Sequence, residues 1–279
     1  MRVLIAGCGY VGTALARRLE EGGGTAWGLR RDPSRLPEGV RGVAADLLDP
    51  ELGAFIPTVD AVVYAASPDG SSDDAYERVY VSGLRNLLRA LRDQEAPSPR
   101  VVLVSSTSVY GDHAGREVDE DTPIAPEGFR GIRVAEGEEI LGSTWPDSVV
   151  LRLGGIYGPG RTRLLERVRA GEARCPSPPA VWSNRIHRED AAGALFHLLR
   201  LRDPDRVYVG VDREPAPICE VYRYVADLLG APEPEIDPEA GRRRGNKRCS
   251  SRRLVESGYV FKFPTFREGY QHVVEGQSG

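Results

Sequence analysis

A doubly wound parallel α/β sheet is the fold that this chain of 279 residues predicts. Three observations carry the expectation. Short runs rich in Val, Leu, Ile and Ala alternate with longer amphipathic stretches through the first half, as parallel strands do when helices cover both faces of their sheet. Glycines cluster directly behind the first apolar run, where a strand has to turn into a helix. The composition, 41% hydrophobic and 28% charged, is that of an ordinary globular protein.

Residues 2–6 (Arg-Val-Leu-Ile-Ala) read as the first strand. Residues 11–21 read as a helix, because Val11, Leu15 and Leu19 fall on one face at helical spacing. Strands are expected at 25–29, at 41–45 and at 60–65, where Ala61-Val62-Val63-Tyr64 is apolar on both faces. A long helix follows at 75–91, a fifth strand at 100–105, a helix at 131–141 and a sixth strand at 148–153. Short right-handed crossovers then build the doubly wound sheet. Beyond Gly160 prolines become frequent and the alternation loosens. A helix at 189–201, a strand at 206–211 and a helix at 217–229 are expected there. We therefore divide the chain into a nucleotide-binding domain, 1–157, and a region, 158–279, that is mostly a smaller substrate lobe with some segments returning to the sheet. Asp190 reads as the N-cap of the helix at 189–201.

Several function classes are set aside at this level. No apolar run approaches the ~18 residues of a membrane-spanning helix. The start is too briefly apolar for a secretory signal. The net charge of −4 gives no reason to expect nucleic-acid binding. Cys8, Cys175, Cys219 and Cys249 are scattered, without metal-site spacing, and read as free thiols of a cytoplasmic protein. No metal site is expected. The basic run 241–248 lacks interleaved aromatics and reads as a loop, either solvated or facing an anionic substrate.

Gly7-Cys8-Gly9-Tyr10-Val11-Gly12 is a G-x-G-x-x-G sequence between the first strand and the first helix. Gly7 suits the tight turn, Gly9 lets the backbone approach a pyrophosphate, and Gly12 lets helix and strand pack closely. The N–H groups that open the helix add a partial positive charge for the anion. Gly7, Gly9, Tyr10, Val11 and Gly12 are accordingly expected to cradle a dinucleotide in a Rossmann fold. The second strand ends Arg30-Arg31-Asp32, where an acid would accept the ribose hydroxyls of NAD. Two guanidinium groups suit a 2′-phosphate instead, each charge-assisted bond contributing ~1.5–3 kcal/mol. NADP is expected over NAD, with Asp32 keeping NAD open. Asp46 and Leu47 are placed to touch the adenine, and Ala65, Ala66 and Ser67 to form a small-residue shelf beneath the ribose and pyrophosphate.

Further motifs make the chain resemble the extended short-chain dehydrogenase/reductases, the NAD-dependent epimerase/dehydratase family. Residues 105–111 (Ser-Ser-Thr-Ser-Val-Tyr-Gly) resemble its serine strand-end motif. Residues 151–160 (Leu-Arg-Leu-Gly-Gly-Ile-Tyr-Gly-Pro-Gly) resemble its nicotinamide-side turn. Residues 184–192 (Asn-Arg-Ile-His-Arg-Glu-Asp-Ala-Ala) resemble the segment returning from the substrate lobe. The resemblance covers nearly the whole chain. It implies a Tyr-x-x-x-Lys pair on the helix after the serine strand, with the lysine lowering the phenol pKa and the tyrosine moving a proton as hydride moves.

This chain departs from that pattern. Its only lysines are Lys247 and Lys262, and neither lies four residues after a tyrosine. In one register Arg130 and Val134 take the two positions, and in the other Phe129 and Arg133. Arginine stays protonated near neutrality and is a poor proton donor, although it can stabilise developing negative charge. The remaining candidates for the chemistry are Ser106, Thr107, Tyr110, Arg130, Tyr157 and His187. Arg161 and Arg185 are candidates for a substrate phosphate or carboxylate. The expected function is an NADP-dependent oxidoreductase or isomerase acting on a small polar, phosphate- or nucleotide-bearing substrate, with homodimerisation as a family habit. Two alternatives stand beside it. One is a non-catalytic NADP-binding sensor or scaffold, and the other an interaction module with a relict cofactor site.

Overall fold

The computed structural model describes residues 1–94, 96–240 and 245–277. Residues 241–244 of the basic run thus lie outside the described residues. The central sheet is built from β1 (Arg2–Ala6), β2 (Thr25–Arg30), β3 (Arg41–Ala44), β4 (Ala61–Tyr64), β5 (Arg100–Ser106), β6 (Val149–Leu153) and β7 (Val207–Gly210). Its order is β7-β6-β5-β4-β1-β2-β3. The ladders of β1 with β2, β1 with β4, β2 with β3 and β4 with β5 are all parallel. Ile5 lies between Gly28 and Val63. The chain winds from β1 to β2 and β3 on one side, then returns to β4 on the other. The carboxyl end of β1 is thus the switch point where such sheets form a ligand crevice. The strand expected at 206–211 is the edge strand β7, and its flank is tied on when Val150 N–H donates to the Arg206 carbonyl (2.8 Å). Nothing local in an apolar run says which sheet it joins.

The helices are α1 (Tyr10–Glu21), α2 (Asp73–Glu77), α3 (Leu84–Arg92), α4 (Gly128–Thr144), α5 (Arg163–Arg169), α6 (Arg188–Arg200), α7 (Ile218–Leu229), α8 (Arg252–Glu256) and α9 (Phe266–Glu275). α1 buries Val11, Leu15 and Leu19, as their spacing predicts. The long helix expected at 75–91 runs from 73 to 92, with a π turn at Arg78–Gly83 between α2 and α3.

Two compact units emerge. The first comprises Met1–Val109, Pro126–Arg152 and Ala192–Tyr208, and the second Tyr110–Ala125, Leu153–Ala191 and the chain from Val209 onward. The core of the first includes Leu4, Leu29, Val62, Tyr64, Leu84, Leu103 and Leu141. That of the second includes Leu165, Val221, Val225, Phe266 and Tyr270. Among the described residues no helix is long and apolar enough to cross a membrane.

Two expectations are corrected. Cys175 and Cys219 are not free thiols but form a disulfide, with Cα atoms 5.1 Å apart. They are 44 residues apart in sequence, so only the folded second unit makes them neighbours. Cys8 and Cys249 remain outside any disulfide and are buried. Asp190 does not cap α6, which begins two residues earlier. It is fully buried and accepts hydrogen bonds from the Tyr259 hydroxyl and from the N–H groups of Lys262 and Phe263. A buried carboxylate with three donors serves as a tertiary staple rather than as a local cap.

Candidate cofactor and active site

The first unit holds a cleft of about 390 Å³ at the carboxyl end of β1. Each glycine of the cradle meets a different steric demand. Gly7 has φ +83°, and a Cβ there would lie 2.2 Å from the Ala66 Cα. A Cβ on Gly12 would lie 2.8 Å from the Ile5 side chain, so helix and strand touch through hydrogen. A Cβ on Gly9 would meet only the Gly7 carbonyl, at 3.9 Å. Gly9 therefore leaves space on the side where a pyrophosphate would approach. It is also the N-cap of α1 and offers no side-chain acceptor to the helix N–H groups. A dinucleotide fits this donor set, since free N–H groups at a helix start bind anions.

Gly7, Gly9, Arg30, Arg31, Asp46, Leu47, Ala66 and Ser67 line the cleft. Arg30 donates to the Cys8 carbonyl (3.3 Å), and Arg31 pairs with Asp69 (2.7 Å) where both are exposed. Asp32 is engaged elsewhere. Its carboxylate accepts from the Ser34 N–H and hydroxyl, and these bonds hold its pKa below the usual range. Asp46 accepts from the Leu48 N–H (2.9 Å), and Ala65 N–H donates to the Ala6 carbonyl (2.8 Å). Tyr10, Val11 and Gly12 open α1 and do not line the cleft, and Val11 belongs to the core. Burial pushes the Cys8 thiol up to about 11, against a Thr13 hydrogen bond and the Arg30 charge, so it stays protonated.

Sequence reasoning missed Asp69, Asp74, Ala75, Arg78 and Val79, which also line this cleft. The helix at 73–92 was legible, but the π turn that starts at Arg78 changes which of its residues face the opening, and periodicity does not signal it.

Farther along the first unit, Ser106 Oγ accepts the Ser108 N–H (3.1 Å), which leaves its own proton available to a substrate oxygen. Thr107 beside it is buried. A Cβ on Gly131 would lie 2.8 Å from the Ser108 carbonyl, so the start of α4 packs tightly on this turn. Phe129 packs edge-on against Tyr76. The exposed Arg130 guanidinium lies over the Phe129 and Tyr76 rings, at 5.6 and 6.0 Å. Arg133, the lysine replacement of one register, is held by Asp73 (2.7 Å) and Glu136 (2.9 Å). Val134 is core. Glu138 is largely buried, accepting from Ser105 and pairing with Arg152 (2.7 Å). Neither register restores a tyrosine with a neighbouring lysine.

The second unit gathers other candidates. Tyr157 stacks on Tyr270 (4.4 Å between ring centres) and meets His187 edge-on (5.4 Å). Arg185 donates to the Tyr270 hydroxyl (3.0 Å). The Tyr157 hydroxyl and His187 Nε2 are buried and make no hydrogen bond within the described residues. Burial, reinforced by the Asp212 carboxyl, drives the Tyr157 pKa well above the ordinary phenol range. Burial, with the His272 charge adding, lowers His187 to about 4. It is therefore neutral near pH 7, and its Nδ1 accepts the Glu189 N–H. Both are poor proton donors where they stand. Tyr110 is fully buried. Arg161 donates to the Ile156 carbonyl (3.1 Å).

A switch-point crevice, a glycine cradle and an open helix start together define a dinucleotide-binding α/β protein. The chain belongs to the NAD dependent epimerase/dehydratase family, whose sequence profile matches residues 3–210. It is 32% identical over 268 residues to the 3-diazoavenalumate denitrifying reductase of a Streptomyces species, covering 86% of this chain and 85% of that protein. A solved structure from Methylobacillus flagellatus, assigned to the NAD-dependent epimerase/dehydratases, is 36% identical with a TM-score of 0.82, covering 100% and 99% of the two chains. The fold is shared with the Thermus thermophilus UDP-glucose 4-epimerase in complex with NAD, at 24% identity and a TM-score of 0.82 over 100% and 99% of the chains.

Proposed function

We propose that this protein is an NADP-preferring oxidoreductase or isomerase of the family, acting on a small polar substrate without the usual tyrosine–lysine couple. The observation that carries the cofactor preference is the pair Arg30 and Arg31 in the cleft, while Asp32, the acid nearest the NAD position, is spent on Ser34. Gly7, Gly9 and the start of α1 would hold the pyrophosphate, with Asp46 and Leu47 beside the adenine and Ala66 and Ser67 beneath the ribose. The nicotinamide, when bound, supplies or accepts hydride. Ser106, whose hydroxyl proton meets no acceptor among the described residues, would hold a substrate oxygen. Arg130 carries a permanent charge that stabilises negative charge on that oxygen. The deep burial of Tyr110, Tyr157 and His187 argues for structural over proton-donating roles. A phosphate- or nucleotide-bearing substrate and a homodimer complete the reading.

Fluorescence titration with NADPH and NADH tests it. NADPH should bind at least about tenfold tighter, as one charge-assisted contact would give. Tighter binding of NADH overturns the preference. The missing couple favours a second reading, an NADP-binding sensor that does no chemistry. Oxidation of NADPH by members of a carbonyl panel rejects the sensor, whereas binding without turnover on that panel supports it.

A further inference from the structure

Tyr76 is not among the candidates that the sequence suggests, yet the first unit places it beside them. It stands on α2, and its chain neighbours Asp74, Ala75, Arg78 and Val79 line the cofactor cleft. Arg133 fastens α2 to α4 through Asp73 (2.7 Å). The Phe129 ring at the start of α4 meets the Tyr76 ring edge-on, with 5.6 Å between centres. The same helix start packs on the serine turn, where a Cβ on Gly131 would lie 2.8 Å from the Ser108 carbonyl. Tyr76 thus stands between the wall of the cofactor cleft and the helix start that packs on the turn carrying Ser106.

The state of the two side chains supplies an independent observation. Tyr76 is half-buried, and its hydroxyl makes no hydrogen bond among the described residues. The Arg130 guanidinium lies 6.0 Å from the centre of the Tyr76 ring and forms no ion pair among the described residues. A permanent positive charge beside a phenol stabilises the negative charge that develops when the proton leaves. The other tyrosines near the motifs are placed differently. Tyr110 and Tyr157 are deeply buried. Tyr80, stacked on Tyr76 at 5.8 Å, is desolvated, which pushes its phenol up to about 12.

We propose that Tyr76 is the proton donor of this site and that Arg130 is its positioning cation, an inference that rests on the oxidoreductase reading above. The Tyr76 O–H bond breaks as a substrate carbonyl carbon takes up hydride, and the proton forms a new O–H bond on the carbonyl oxygen. The carbonyl is reduced, and bound NADPH supplies the hydride and is oxidised. The guanidinium stabilises the phenolate until solvent returns a proton. Reduction of 4-nitrobenzaldehyde with NADPH tests the couple, with folding of each variant checked by circular dichroism. Tyr76→Phe should lower kcat about 100-fold or more, as loss of a general acid does, and leave the NADPH dissociation constant within about twofold. Arg130→Ala should lower kcat about tenfold or more, and Arg130→Lys should recover most of the loss, because a positive charge is what the phenolate needs. Nitration of Tyr76 by tetranitromethane, mapped by peptide mass, reads its place without turnover. NADP at about ten times its Kd should slow that nitration about fivefold or more, since only about a tenth of the sites then stay open. An unchanged kcat in Tyr76→Phe would overturn the couple and leave the oxidoreductase reading standing. Wild-type protein that binds NADPH yet leaves the aldehyde unreduced would sink that reading, and the couple with it. Nitration that NADP does not slow would take Tyr76 away from the cofactor and overturn the assignment.

Discussion

At Gly7 a single hydrogen atom decides whether the cradle forms. The backbone is left-handed there, and an added methyl would overlap Ala66. Gly7→Ala should lower the melting temperature and abolish NADPH binding, both read in one thermal-shift series with and without cofactor. Glu138 and Arg152 show a different sensitivity. Their side chains are 9% and 7% exposed, and the pair is closed by a 2.7 Å contact. Glu138→Gln leaves the arginine charged and buried without its counterion, which should cost about 3–5 kcal/mol in urea unfolding. A loss below about 1 kcal/mol would place the pair among solvent-screened ones.

Elements set the next level of detail. α1 is anchored by apolar side chains yet starts on a glycine without a side-chain cap, so its first N–H groups stay available. α9 is built the opposite way. Thr265 and Glu268 form a capping box, in which Thr265 accepts the Arg267 N–H and Glu268 accepts the Thr265 N–H. Thr265→Ala should therefore cost about 1 kcal/mol without changing NADPH affinity. The end of β2 carries the cofactor choice. Arg30→Ala/Arg31→Ala should weaken NADPH about tenfold or more while leaving NADH nearly unchanged, so the ratio of the two constants approaches one. An unchanged ratio would remove these arginines from the 2′-phosphate.

The whole molecule registers two buried titrations of opposite sign. The unfolded chain protonates His187 near 6.5 and the folded chain only near 4, so this group costs stability as pH falls through that window. Folded Asp212 keeps its proton up to about 8, whereas the unfolded group releases it near 3.8, so it costs stability as pH rises between those values. The slopes oppose each other between about 4 and 6.5, and Asp212 acts alone from 6.5 to 8. Stability should fall by roughly 2 kcal/mol over that upper window, at ~1.4 kcal/mol per pH unit. Asp212→Asn should flatten the slope. A slope that persists in the variant would assign it to another group.

Apolar alternation and the order of glycines were enough to read the sheet strands, α1 and the cradle, because these depend on neighbours in the chain. Val11, Leu15 and Leu19 share a face wherever the helix lies, and Gly7 must turn wherever β1 ends. The absence of a Tyr-x-x-x-Lys sequence was equally plain, since neither of the two lysines lies four residues after a tyrosine. Tertiary structure alone decided that residues 207–210 join the main sheet, that Asp190 staples 259–263 instead of capping a helix, and that Cys175 meets Cys219. It also decided how deeply the candidates sit, with Tyr157 and His187 both buried. The reason is physical. Strand and helix periods are set by backbone geometry within a few residues, whereas burial, pKa and side-chain partners depend on groups brought together from distant parts of the chain.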